Sequence, residues 1–149
     1  LILKKILLKQ RIIYKIMKNK TISIIGLGFV GLPLACILAT KFNNKCKIIG
    51  IDKKIKNSKI NKKKFLLSFE KNLVDKRMRS TILQSLKKNN FELSDDIKKI
   101  YNSETIVVSV NFDFKANNIE KSFKKLKTLF KNIALNIKTE TLIILETTV

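Results

Sequence analysis

Three glycines and one aspartate carry the clearest chemical signal in this sequence. Gly26, Gly28 and Gly31 stand in the order Gly26-Leu27-Gly28-Phe29-Val30-Gly31, and Asp52 follows 21 residues after the last of them. Each fits a loop that holds a pyrophosphate. The first glycine lets an incoming strand turn tightly, the second lets the backbone approach the phosphates, and the third lets the next helix pack closely on the strand. A helix starting at such a loop points unpaired N–H groups and a partial positive charge at the anion. An acidic side chain ending the next strand accepts from the ribose hydroxyls of a dinucleotide. Its charge opposes a 2′-phosphate and so favours NAD over NADP, whereas Lys53 and Lys54 directly after it weigh the other way.

These residues act together only if the elements around them place them so. Thr21–Ile25 is a short apolar run, the pattern of a buried parallel strand. A helix follows over Leu32–Phe42, with Leu34, Ile37, Leu38 and Phe42 on its expected apolar face. Pro33 falls in its first turn, where a missing N–H is harmless. Lys47–Ile51 reads as a second strand that delivers Asp52. A lone G-x-G-x-x-G is weak evidence, because a glycine turn also occurs in βαβ units without a nucleotide. Strand, glycines, helix, strand and acid in register are much stronger.

Beyond Asp52, residues 53–64 form a Lys-rich stretch read as a short helix and a loop. Phe65–Asn90 carries apolar residues at helical spacing, enough for one or two helices. Phe91–Ser94 reads as a short strand, and Asp95–Tyr101 as a short helix capped by Ser94 or Asp95. Thr105–Val110 and Thr141–Leu145 are buried strands flanking an amphipathic helix over Ile119–Ile137. Strands alternating with helices specify an α/β fold, a Rossmann-type doubly wound parallel sheet.

The composition limits the alternatives. At 149 residues with 45% hydrophobic residues, the chain holds one domain's core and is not a disordered composition. Its net charge of +21 raises an RNA- or anionic-membrane-binding module as a competing function. Only Arg11, Arg77 and Arg79 are arginine, however, and nucleic-acid readers lean on arginine. The Lys, Ile and Asn excess reads instead as a composition set by AT-rich codons, giving a Lys-coated surface with no specific nucleic-acid partner. With no histidine, and with Cys36 and Cys46 ten residues apart, no metal set is expected. Two reduced thiols suit a cytoplasmic protein.

The first twenty residues contain seven basic residues and no acid between Leu/Ile clusters. As a helix they would be cationic and amphipathic, suited to a membrane surface but not to a stable anchor. The plainer expectation is a natural start at Met17, which leaves residues 1–16 as an upstream extension.

Three segments together resemble the nucleotide-sugar dehydrogenases, the UDP-glucose and UDP-N-acetylmannosamine/glucosamine 6-dehydrogenases. "IGLGFVGLPLA" is similar to that family's opening, "SVNFDF" (109–114) sits where it has a V-P-T-P or V-N-T-P loop, and "LETTV" (145–149) resembles its E-[ST]-T-V segment. The resemblance covers Thr21 to Val149. It implies an NAD-dependent oxidoreductase of polysaccharide biosynthesis that oxidises a nucleotide-sugar primary alcohol to a uronate in two hydride transfers. Gly26, Gly28, Phe29, Val30, Gly31 and Asp52 are then implied to contact NAD, and Val110 and Asn111 to line its cleft. Thr147, Thr148 and Val149 would approach the nicotinamide, with Thr148 matching a catalytic threonine that helps hold a water and the reacting carbon. Without the resemblance, Thr148 reads as a β-branched residue ending a strand.

Two departures stand out. Phe112-Asp113-Phe114 replaces the usual Thr-Pro turn, and Asn57 stands at a basic position, with Lys56 and Lys59 as nearby substitutes. The family's catalytic cysteine and nucleotide-sugar-binding regions match nothing in this sequence. Cys36, on the first helix, is no stand-in, because a thiol among apolar neighbours lacks the cations that make a thiolate. The expectation is therefore an NAD-binding domain over 21–149 cut after the strand ending at Leu145. Such a chain would bind NAD, lack turnover alone, meet a UDP-sugar only in a longer and homo-oligomeric protein, and be poorly soluble through its exposed sheet edge. The NAD domain of some other dehydrogenase is a further alternative, weakened by "LETTV".

Overall fold

The computed structural model describes residues 20–43, 45–55, 62–70, 75–112, 119–138 and 140–146. Five strands form one sheet: β1 (Lys20–Ile25), β2 (Cys46–Ile51), β3 (Phe91–Ser94), β4 (Thr105–Val108) and β5 (Leu142–Leu145). All pairings are parallel, in the order β3-β2-β1-β4-β5. The helices are α1 (Gly31–Phe42), α2 (Lys62–Glu70), α3 (Lys76–Leu86) and α4 (Ile119–Ala134), with a 3₁₀ turn at Ile97–Asn102.

Side-chain alternation along the strands builds a core on each face of the sheet. Ile22 and Ile24 of β1 and Ile48 of β2 point to the side covered by α1, α2 and α3, where Leu32, Ala35, Cys36, Leu66 and Ile82 meet them. Ile25, Ile49 and Ile51 point to the opposite side, against Ile100 of the 3₁₀ turn and Ile133 of α4. Ile24, Leu32, Ile48, Ile106 and Ile133 are wholly shielded from solvent. Each such side chain contributes roughly 1.5–3 kcal/mol through burial. The order of the strands matters for function. The chain winds outward from β1 through β2 to β3, then returns to place β4 on the other side of β1. That reversal opens a crevice over the carboxyl ends of β1 and β4, where open α/β sheets bind ligands.

Several details differ from the sequence expectation. The buried stripe of α1 is Leu32, Ala35, Cys36 and Ala39, while Leu34, Leu38 and Phe42 are only partly buried at its margin. Small side chains win the inner positions because α1 lies close to the sheet. The cap of the turn after β3 is Asp96, whose carboxylate accepts from the Lys98 N–H, and not Ser94 or Asp95. Ser94 instead accepts from the Asp96 N–H. β4 pairs only as far as Val108; beyond it the Ser109 N–H donates to the Ile25 carbonyl, and Val110 packs against the core on one face of the sheet. The helix expected to reach Ile137 ends at Ala134. On the outer strand, Glu92 pairs with Lys47 at 2.9 Å and with Lys99. Those cations hold its carboxyl below the usual range, the Lys99 hydrogen bond first.

Candidate functional site

The site is built where β1 stops. Gly26 turns the chain with φ +92°, a conformation that L side chains rarely adopt, and a Cβ there would lie 2.5 Å from the Ser109 carbonyl oxygen. The chain then passes through Leu27 to Gly28 and enters α1 at Gly31. A Cβ on Gly31 would run into the carbonyl oxygen of Gly26, so the helix start touches the turn that feeds it. A Cβ on Gly28 meets nothing within 4 Å. Of the three glycines, this one faces open space.

The loop presents donors to that space. The N–H groups of Gly28, Phe29, Val30 and Gly31 find no acceptor among the described residues, while the next N–H, of Leu32, donates back to Gly28 at 3.2 Å. Val30 caps α1 without a side-chain hydrogen bond, so no residue of the loop competes for these donors. Free N–H groups at a helix start with the positive end of its dipole suit an anion. Phe29 leaves 80% of its surface exposed, and its ring sits 5.6 Å from that of Phe69 on α2. Val30 is also exposed.

Asp52 arrives from β2 at the same place. Its Oδ2 accepts from the Leu27 N–H at 2.7 Å and its Oδ1 from the Lys54 N–H at 2.8 Å. The Gly26 N–H donates to the Ile51 carbonyl at 2.8 Å, so β2 holds the glycine loop by two successive residues. Lys53 and Lys54 are exposed beside the carboxylate, and buried Ile55 anchors the turn.

From the β4 side come Val110, half-buried with Cγ2 2.9 Å from where a Gly26 Cβ would be, and Asn111, exposed two positions past Ser109. Phe112 is buried, so this side chain anchors the loop that lacks the Thr-Pro turn. Gly26, Gly28, Phe29, Val30, Gly31, Asp52, Val110 and Asn111 thus gather at the carboxyl ends of three adjacent strands. Thr147, Thr148 and Val149 lie outside the described residues, as do Met17, Lys56, Asn57, Lys59, Asp113 and Phe114. The sequence reading missed Ser109. Its Cβ lies 3.2 Å from where a Cβ on Gly31 would stand and its carbonyl oxygen 2.5 Å from where one on Gly26 would, so this residue packs against both glycines, and a serine directly after "TIVV" was the available sign.

These residues fit a dinucleotide. The open space at Gly28 admits a pyrophosphate, the loop supplies donors, and each Asp52 oxygen keeps a second lone pair for a ribose hydroxyl. The cysteines offer no competing chemistry. Cys36 is buried and receives a hydrogen bond from Ser85, and burial pushes the Cys46 thiol up to about 11. Among the described residues no group of acidic, Cys or His side chains forms a metal set, and no helix is long and apolar enough to cross a membrane.

Known proteins resemble this chain over most of its length. Residues 20–149 match the UDP-glucose/GDP-mannose dehydrogenase family, NAD binding domain. Protein CapL of Staphylococcus aureus is 29% identical over 131 residues, which is 88% of this chain and 27% of that protein. NDP-N-acetyl-D-galactosaminuronic acid dehydrogenase from Methanosarcina mazei Go1 superposes with a TM-score of 0.65 at 20% identity, over 94% of this chain and 30% of that one. UDP-D-ManNAc dehydrogenase from Pyrococcus horikoshii does so at 0.64 and 19%, over 87% and 28%. At these identities the two structures establish the fold. The chain spans about 30% or less of the length of each of these three relatives. Glycine loop, acid and strand order agree with the family match over nearly the whole chain, which therefore belongs to the UDP-glucose/GDP-mannose dehydrogenase family as an NAD-binding domain.

Proposed function

We propose that this chain holds NAD for a nucleotide-sugar 6-dehydrogenase that oxidises a primary alcohol to a carboxylate, using two NAD per product. The observation that carries the reading is the Gly28 loop, with free N–H groups around open space and a carboxylate fixed at its flank. The N–H groups of residues 28–31 bind the pyrophosphate, Asp52 accepts from the adenosine ribose, and Val110 and Asn111 line the cleft toward the nicotinamide. Phe29 and Val30 bound the mouth of the loop and limit water there. When bound, NAD supplies the hydride acceptor. Thr147 and Thr148 are placed in this proposal by the E-[ST]-T-V resemblance, with Thr148 ordering a water beside the reacting carbon. Carrying the aldehyde on to the carboxylate uses, in the family the sequence resembles, a thiol that forms a covalent adduct, and neither buried cysteine is disposed to do so. The domain alone is therefore a cofactor module, working in the cytoplasm as part of a larger, homo-oligomeric enzyme of polysaccharide synthesis.

Calorimetric titration of NAD and NADP into the chain and its Asp52→Ala variant tests this. NAD is expected to bind more tightly than NADP. The substitution should weaken NAD more than tenfold, a loss above ~1.4 kcal/mol, and reduce the preference. A folded chain that binds neither nucleotide contradicts the reading.

A further inference from the structure

Asp52 spends all of its polar groups on holding chain ends together. Its N–H donates to the Ser94 carbonyl at 3.0 Å and its carbonyl accepts from the Ile55 N–H at 3.0 Å. Its two carboxylate oxygens accept from the N–H groups of Lys54 and Leu27 at 2.8 and 2.7 Å. One residue thus joins the end of β3, the turn after β2 and the glycine loop after β1. Leu27 is fixed from both directions. Its N–H is on Asp52, and its buried side chain lies over Gly50 of β2, with Cδ1 2.9 Å from where a Gly50 Cβ would stand.

Leu27 separates the two glycines with opposite roles, the tight turn at Gly26 and the open position at Gly28. Fixing its N–H fixes the plane of the peptide joining Gly26 to Leu27, and therefore where the next N–H groups point. A carboxylate suits this better than a neutral acceptor, since a charge-assisted hydrogen bond is shorter and stronger. Nothing in the arrangement needs a nucleotide to be present. Resting on the NAD reading of this loop, we infer that Asp52 is a positioning residue for the phosphate-binding backbone, acting through Leu27, in addition to meeting the ribose. Each oxygen retains a lone pair, so the two tasks coexist.

Two properties of Asp52→Asn and Asp52→Ala, made in the 149-residue chain, separate the roles. Asparagine keeps a carbonyl oxygen for Leu27 but loses the charge, whereas alanine loses both. The first readout is amide hydrogen exchange at Leu27 without nucleotide. It should quicken about tenfold in Asp52→Ala, the order expected for one lost hydrogen bond, and by less than that in Asp52→Asn, whose neutral oxygen still accepts from Leu27. The second compares adenosine, which reaches the ribose contact alone, with NAD. Alanine should weaken NAD about tenfold more than it weakens adenosine, and asparagine should restore that excess. Unchanged Leu27 exchange in Asp52→Ala, or equal losses for both ligands with no recovery in Asp52→Asn, overturns the inference. Should Asp52→Ala not fold, Asp52→Ser, whose shorter side chain withdraws its oxygen from Leu27, takes its place: Leu27 exchange about tenfold faster than wild type supports the latch, and exchange at the wild-type rate contradicts it. Failure of wild type to bind NAD refutes the proposed function and leaves the exchange rates to judge the latch.

Discussion

A methyl group added at Gly31 would run into the carbonyl oxygen of Gly26, whereas one added at Gly28 meets no atom within 4 Å. Identical residues in one motif therefore answer to different demands. Gly31 is required by the protein's own packing, whereas no atom of the protein crowds a side chain at Gly28, the position that the proposed function gives to the pyrophosphate. The motif spacing announced both roles, but it could not show that Asp52 bonds to Leu27, because a pairing across 25 positions appears only once the sheet is assembled. The cysteines differ too. Burial first, and the charge of Glu104 second, push the Cys46 thiol from 9.0 up to about 11. An acid raised on folding favours its neutral form in the native state, so its contribution is intact below pH 9 and is lost as pH rises through 11. We expect native chain to resist thiol-specific reagents at pH 8, with both cysteines reacting after unfolding in urea. Denaturation midpoints should fall between pH 9 and 11, and a Cys46→Ala variant should lose part of that fall. Rapid labelling of the folded chain at pH 8 would refute the assignment.

Among the elements, β1 and β2 were readable because each is largely a short apolar run ending at a glycine or an acid. The helices after Asp52 were harder. Two helices, Lys62–Glu70 and Lys76–Leu86, stand where periodicity allowed one or two, and the second begins at Asp75, whose carboxylate accepts from the N–H of Arg77 at 2.8 Å. That cap was visible in the sequence as an acid before a periodic run, yet Lys-rich surroundings hid it. Losing such a cap typically costs about 1 kcal/mol. Asp75→Ala should lower stability by about that amount in urea titrations, while NAD affinity stays at the wild-type value because α3 packs on α1 and α2 away from the loop. A change in NAD affinity above about threefold would show that α3 reaches the site. The face of α1 was read in part. Leu34, Leu38 and Phe42 do pack against the core, but at its margin, because a helix that starts in contact with a strand end gives the fully buried positions to Leu32, Ala35, Cys36 and Ala39.

For the whole molecule, two surface properties pull in opposite directions. β5, expected to be buried, is an edge strand among the described residues, and Leu142, Ile144 and Leu145 on it are exposed, together with Phe123 of α4 and Leu135 just after that helix. Such an edge favours association. The charge of +21 opposes it over a distance set by salt, about 8 Å at 0.15 M and about 30 Å at 0.01 M. The chain should therefore stay dispersed at 0.01 M salt and self-associate as salt rises, with Ile144→Lys suppressing the association by light scattering. Binding to random oligonucleotide runs the other way, weakening steeply with salt. Association that falls with salt would assign the surface to electrostatic contacts and not to the edge. The central claim is that the space at Gly28 belongs to a pyrophosphate. Its most direct test is calorimetric titration of NAD into wild type and Gly28→Ala, both first melted without ligand. Equal melting temperatures with NAD weakened more than about tenfold in the variant are the predicted result. Equal affinities in the two chains would contradict it.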